Sequence, residues 1–280
     1  MKIWFINKRK YICVLFEYNM RHLITFISSL LLCIGSAIAQ NSEYEYKTFV
    51  ASDGTELNYR LLRPEEEKKG EKYPLVLFLH GAGERGNDNE KQLVHGGRMF
   101  LNPVNREKYP AYILFPQCPS EDYWAFRKRP SSFDDFSADE SVTPILMRVK
   151  EMLDTYLENP MVDRSRVYVM GLSMGGMATF DLVSRFPDIF AAAIPICGAA
   201  DTDLLAGAEG VSFRIYHGDA DPTVPVECSR RAYKALKQAG RSVEYLEFPG
   251  CGHFSWDPAF SQPDFMEWLF KQKKSRKYLK

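Results

Sequence analysis

The sequence predicts an α/β fold, a mostly parallel sheet with helices on both faces. Three observations carry that reading. From Pro74 onward, short apolar runs alternate with longer amphipathic segments. The run Pro74–His80, PLVLFLH, is apolar without alternation, as a strand covered on both faces requires. Val167-Tyr168-Val169-Met170 leads straight into Gly171-Leu172-Ser173-Met174-Gly175-Gly176, a strand, a small-residue turn and the start of a helix.

In chain order, Tyr46–Ala51 and Leu57–Leu62 flank Ser52-Asp53-Gly54-Thr55, which reads as a hairpin. Pro74–His80 is the first central strand. Residues 80–111 form the longest irregular piece, and a long connection directly after a central strand is expected to build a site. Tyr112–Phe115 is the next strand. Ile145, Val149, Met152 and Tyr156 recur at helical spacing, with Thr143 placed to cap and Pro144 at the first helical position, so a helix is expected over 144–157. A strand at 167–170, a helix from Met174 to Phe186 and strands at 191–196 and 213–217 follow. A helix at 226–239 ends at Gly240, and a strand at 243–248 and a helix at 263–272 complete the alternation. The basic tail (Lys271, Lys273, Lys274, Arg276, Lys277, Lys280) reads as a solvated helix end favoured by the helix dipole.

The N-terminus reads differently. Met20-Arg21-His22, the apolar stretch Leu23–Ile34 and Ala37-Ile38-Ala39 have the order of a secretory signal peptide. The apolar core is short of the ~20 residues of a membrane span. The expectation is a leader over 1–39, translation starting at Met20 (Met1 being the alternative), cleavage after Ala39, and a single α/β domain over 40–280. That places the mature chain outside the cytoplasm, secreted or periplasmic, with no membrane anchor after cleavage. Over the whole chain 36 basic residues balance 36 acidic ones, and loss of the leader with its five bases and one acid leaves a net charge of −4. A balance this mild excludes nucleic acid as the expected partner. Four cysteines remain: Cys118, Cys197, Cys228 and Cys251. Export permits disulfides. Cys197 and Cys251 both follow expected strands and could approach each other, but buried free thiols are the expected state. There is no CxxC pair, no H-E-x-x-H, no phosphate-binding loop and no dinucleotide fingerprint, so neither metal nor cofactor is expected.

The chemistry centres on Ser173. Side chains at 171 or 175 would crowd a tight turn, so glycine is needed there. A serine hydroxyl needs a base within hydrogen-bond reach and a group to orient that base. On an open α/β sheet with the serine at a strand elbow, the chain order is serine, acid, histidine. His217 and His253 follow Ser173. His253, in the glycine-rich loop Pro249-Gly250-Cys251-Gly252-His253 after the last strand, is the expected base. Asp219 and Asp221 both qualify as the acid. The place of Asp221 before Pro222 favours it, with Asp219 bonding local amides. The developing oxyanion calls for preorganised N–H donors. Met174 N–H, next to the nucleophile, and Ala82 N–H, in His80-Gly81-Ala82-Gly83, are the candidates.

Four stretches now carry a resemblance: LFLHGAGERG at 77–86, GLSMGG at 171–176, HGDADPTVP at 217–225 and GCGHFSW at 250–256. The chain resembles the α/β-hydrolases, and within them the secreted bacterial esterases related to dienelactone hydrolases, polyhydroxybutyrate depolymerases and feruloyl esterases. That group is often labelled "predicted peptidase" and set beside prolyl oligopeptidases. The resemblance spans roughly 45–270. It implies an α/β-hydrolase fold with Ser173 as nucleophile, His253 as base and Asp221, before the Val224-Pro225 pair, as acid. Dienelactone hydrolases proper use a cysteine nucleophile, which Ser173 is not. The expected function is a serine carboxylesterase acting through an acyl-enzyme on feruloyl or acetyl esters of plant polysaccharides. A serine peptidase and a non-catalytic binding protein are the alternatives. Trp124, Phe254 and Trp256 are the expected substrate contacts, since aromatic faces suit aryl groups and sugar rings; they also suit core packing.

Overall fold

The strands, in chain order, are β1 (Glu45–Val50), β2 (Glu56–Leu62), β3 (Tyr73–Leu79), β4 (Tyr112–Pro116), β5 (Val162–Leu172), β6 (Ala192–Ile196), β7 (Ser212–Gly218) and β8 (Ser242–Phe248). They form one sheet in the spatial order β1-β2-β4-β3-β5-β6-β7-β8. β1 and β2 pair antiparallel, as do β2 and β4, and every later pairing is parallel. This computed structural model describes residues 43–127, 132–133, 136 and 141–278. The expected leader, with its start at Met20 and cleavage after Ala39, lies outside the described residues. Tyr44–Lys280 is one compact unit.

Period-two alternation explains why β3 is apolar throughout. Leu75, Leu77 and Leu79 enter one core with Leu146, Val149 and Phe180, while Val76 and Phe78 enter another with Phe100, Trp256 and Phe265. All seven residues of the strand are buried. The chain leaves β3 towards β4 on one side and then crosses to β5 on the other. The carboxyl ends of β3 and β5 therefore open at a topological switch point, where open α/β sheets leave a crevice.

The helices are α1 (Gly97–Leu101), α2 (Pro103–Lys108), α3 (Pro144–Leu157), α4 (Met174–Arg185), α5 (Glu227–Gln238), α6 (Trp256–Phe260) and α7 (Phe265–Lys271). Thr143 caps α3 as expected, its Oγ1 accepting from Leu146 N–H at 3.3 Å. Residues 80–111 are more regular than the sequence suggested. They hold two single 3₁₀ turns, Ala82–Glu84 and Lys91–Leu93, as well as α1 and α2. The start of α2 carries a capping signal, Asn102-Pro103, with the Asn102 side chain accepting from Val104 N–H at 3.0 Å. The four cysteines among the described residues are free; Cys118, Cys197 and Cys228 are buried and Cys251 is partly so.

Lys274 is an exception to the solvated tail, in which Lys271, Lys273, Arg276 and Lys277 are exposed. It is 2 % exposed, and its ammonium donates to the carbonyls of Pro187 (2.6 Å), Phe190 (2.8 Å), Glu209 (3.4 Å) and Gly210 (3.4 Å). One cation thus satisfies carbonyls from the α4–β6 and β6–β7 connections. Lys274→Met leaves those carbonyls without their donor, and we expect a loss of about 2–4 kcal/mol. Urea unfolding measures it, and an unchanged midpoint would mean that the ammonium is dispensable.

Candidate active site

Ser173 stands between the end of β5 and the first residue of α4 with φ 54° and ψ −117°, a conformation that strains any residue with a side chain. The surrounding glycines explain how the chain accommodates it. A Cβ at Gly175 would lie 1.9 Å from the Leu79 carbonyl oxygen, and one at Gly171 would lie 2.4 Å from the Gly175 oxygen. No other residue fits either position. Ser173 N–H donates to Ile196 O at 2.8 Å, which fastens the elbow to the end of β6.

Three side chains from three loops meet here. Ser173 Oγ lies 2.9 Å from His253 Nε2, and His253 Nδ1 lies 2.7 Å from Asp221 Oδ2. His253 comes from the loop after β8 and Asp221 from the loop after β7. The Asp221 carboxylate is fully buried and its other oxygen accepts from Thr223 N–H (2.8 Å) and Val224 N–H (3.0 Å). Burial alone would raise the Asp221 pKa. Hydrogen bonds from His217 and His253, then from the Val224 and Thr223 amides, outweigh it and hold the group well below the usual carboxylate range. Asp219 does different work. Its Oδ1 accepts from Gly250 N–H at 2.6 Å, and Ala220 N–H donates to Cys251 O at 3.0 Å, so the acid loop is laced to the histidine loop.

The loop after β3 supplies the other half of the site. His80 Nδ1 lies 2.6 Å from Gly81 O, and Cys118 N–H donates to His80 Nε2 at 2.9 Å. A carbonyl can only accept and an amide N–H only donate, so the ring is neutral with its proton on Nδ1. Burial pushes its pKa down to about 4, which keeps it so. Arg85 anchors the 3₁₀ turn by donating to Ala82 O, Ser120 O and Asp122 O, with its guanidinium 4.1 Å above the Tyr123 ring. Sequence reasoning passed over both residues, because their roles are set by contacts with a segment some forty residues away. Ala82 and Met174 both line the cleft beside Ser173. As the first residue of α4, Met174 has an N–H with no intrahelical acceptor.

The cleft measures about 300 Å³. Its lining includes Tyr123, Phe126 and Phe133, which pack with one hydrophobic cluster, and His95, Phe254 and Trp256, where the Trp256 ring contacts the other two. Trp256 is 4 % exposed and Phe254 67 %, and both line the cleft. Trp124 does not. It is fully buried and its indole N–H donates to His80 O at 3.1 Å, so it supports the loop from behind while Tyr123 and Phe126 face the cleft. The polar pair Glu84 and His95, 3.6 Å apart, also lines the cleft.

Among the described residues, one group has donor atoms close enough to hold a cation: Cys197, Asp221 and His253, within 4.8 Å of one another. Both ring nitrogens of His253 are already engaged by Ser173 and Asp221, and burial pushes the Cys197 thiol up, away from the thiolate a metal needs. The group is a hydrogen-bonded relay and not a cation cradle.

The profile of the phospholipase/carboxylesterase family matches residues 65–262. A probable carboxylesterase of Oryza sativa subsp. japonica is 24% identical over 214 residues, covering 70% of this chain and 87% of the relative. Feruloyl esterase B of Neurospora crassa is 25% identical over 157 residues, 56% of this chain and 49% of that protein. A thermostable esterase of known crystal structure superposes with a TM-score of 0.78 at 34% identity, over 84% of this chain; the chain spans 64% of that esterase.

Proposed function

The chain belongs to the phospholipase/carboxylesterase family and is a serine hydrolase; from that premise we propose that Ser173, His253 and Asp221 are its catalytic triad, acting on feruloyl or acetyl esters of plant polysaccharides. The observation that carries the proposal is the continuous relay from Ser173 Oγ through His253 to Asp221, at 2.9 and 2.7 Å. His253 Nδ1 donates to the carboxylate, which leaves Nε2 free to accept the serine proton. Ser173 Oγ then attacks the ester carbonyl, and the oxyanion forms towards the N–H groups of Ala82 and Met174. Collapse expels the alcohol, which takes its proton from His253. A water activated by the same nitrogen hydrolyses the acyl-enzyme. We place this activity outside the cytoplasm, in a mature chain beginning near Gln40. Among the described residues no helix is long and apolar enough to cross a membrane.

The substrate class rests on the cleft lining. The three aromatic side chains Tyr123, Phe126 and Phe133 suit an aryl acyl group. The same cleft joins Glu84 and His95 to the ring of Trp256, 5.0 Å from His95, and a carboxylate and imidazole beside an aromatic face suit sugar hydroxyls. The test is to assay the chain on p-nitrophenyl acetate, methyl ferulate, acetylated xylan and a proline-containing peptide. Ester cleavage is expected; peptide cleavage exceeding it would replace the esterase reading with a peptidase one. Phe126→Ala is expected to lower kcat/KM on methyl ferulate ~10-fold more than on p-nitrophenyl acetate, the size of one aromatic contact. An equal fall on both would remove Phe126 from acyl recognition.

A further inference from the structure

We propose that a second histidine, His217, is a positioning residue of the relay: its Nε2–H shares the Asp221 carboxylate oxygen with His253 and sets how tightly that oxygen holds the catalytic imidazole. The inference rests on the triad reading above. His217 lies on β7, four residues before Asp221, and its side chain is fully buried. Nε2 is 2.9 Å from Val224 O and 3.2 Å from Asp221 Oδ2. The Val224 carbonyl can only accept, so Nε2 carries a hydrogen, directed between the two oxygens. On the far side Nδ1 is 2.7 Å from Ser229 Oγ, on α5. The Ser229 hydroxyl is the hydrogen-bond partner of Nδ1. The ring is thus pinned between α5 and the acid loop, with a hydrogen held on Nε2 by a backbone carbonyl.

The consequence falls on Asp221. Its Oδ1 receives two backbone N–H groups and its Oδ2 receives two imidazoles, His253 at 2.7 Å and His217 at 3.2 Å. With donors on every side the carboxylate has no freedom to turn. The second donor on Oδ2 also draws density from the oxygen that must stabilise the His253 imidazolium, and so moderates its basicity. The other titratable groups near Asp221 do not substitute for His217. Cys197, from the end of β6, and Cys251, from the histidine loop, are both pushed up by burial and stay as thiols. Asp219 is turned away to Gly250.

The experiment replaces His217 with Leu, which removes the donor, and with Gln, whose side-chain N–H can occupy the Nε2 position. For His217→Leu we expect kcat on p-nitrophenyl acetate to fall 10- to 100-fold with KM within about twofold, and the acid limb of kcat/KM to move to higher pH, because the imidazolium is then held more tightly. His217→Gln should recover most of kcat and return the limb towards the wild-type position. Ser229→Ala, which removes the partner of Nδ1 and loosens the ring while leaving the Val224 carbonyl in place, should move the limb in the same direction as Leu but less. Active-site titration with a serine-directed phosphonate corrects each rate for folded enzyme. An unmoved acid limb in folded His217→Leu, or Gln no better than Leu, overturns the inference and leaves the triad intact. Activity that survives Ser173→Ala would instead remove the triad itself.

Discussion

Ser173→Ala is expected to lower kcat/KM for p-nitrophenyl acetate by ~10⁴-fold or more while leaving the thermal unfolding midpoint nearly unchanged. The two halves of this expectation have separate origins. The rate loss follows from removing the hydroxyl that lies 2.9 Å from His253 Nε2, since an esterase without its nucleophile keeps only what binding and oxyanion donors supply. The retained stability follows from how the elbow is built. The φ of 54° at position 173 is imposed by Gly171, Gly175 and the Ser173 N–H bond to Ile196 O, and alanine bears the same backbone strain as serine. Wild-type rates in the folded variant would end the nucleophile assignment.

The second large effect separates two aspartates. Asp221→Asn is expected to lose ~10⁴-fold in kcat and Asp219→Asn no more than a few-fold. Asp221 accepts donors on both oxygens, two backbone amides on Oδ1 and two imidazoles on Oδ2. An asparagine amide has one accepting oxygen and one donating nitrogen, so in either orientation a donor faces a donor. The readiest relief is for His253 to move its proton to Nε2, where it points at Ser173 and can no longer accept. Asp219 holds Gly250 N–H with a single oxygen, and an Asn can do the same. Comparable losses in the two variants would make the loop lacing, and not the acid, the catalytic requirement. The pair also predicts a stability profile. The folded-state pKa of Asp221 is depressed, so its contribution is complete above the ordinary carboxylate value of ~3.9 and is lost as pH falls towards the folded value. The stability gap between wild type and Asp221→Asn should therefore close on acidification through that window; a gap that widens there reverses the sign.

The fold and the relay were legible where a local rule acts. Glycine sterics announce the elbow, an apolar run announces β3, and the order of serine, acid and histidine follows from parallel strands in sequence. Legibility ended where distant contacts decide. Val162–Arg166 is too polar to read as strand, yet it extends β5 because Val162 pairs with Tyr73 at the edge of β3. Trp124 could not be told from Tyr123 and Phe126 by composition; which ring faces the cleft depends on the His80 carbonyl. Lys274 sits in a run of bases with nothing to distinguish it until four carbonyls converge. His217 was visible as a candidate base, but its partner Ser229 is on the next helix and its role appears only in three dimensions.

The two cores also bear on how this enzyme can change. Phe126 and Phe133 are rooted in the hydrophobic cluster on one face of the sheet, and Trp256 in the cluster on the other. Substitutions at Tyr123, Phe126 and Phe133 therefore draw on a different reservoir of packing from substitutions at Trp256. Under the proposed function, a library or natural selection can rewrite the Tyr123, Phe126 and Phe133 group while the packing around Trp256 keeps its shape.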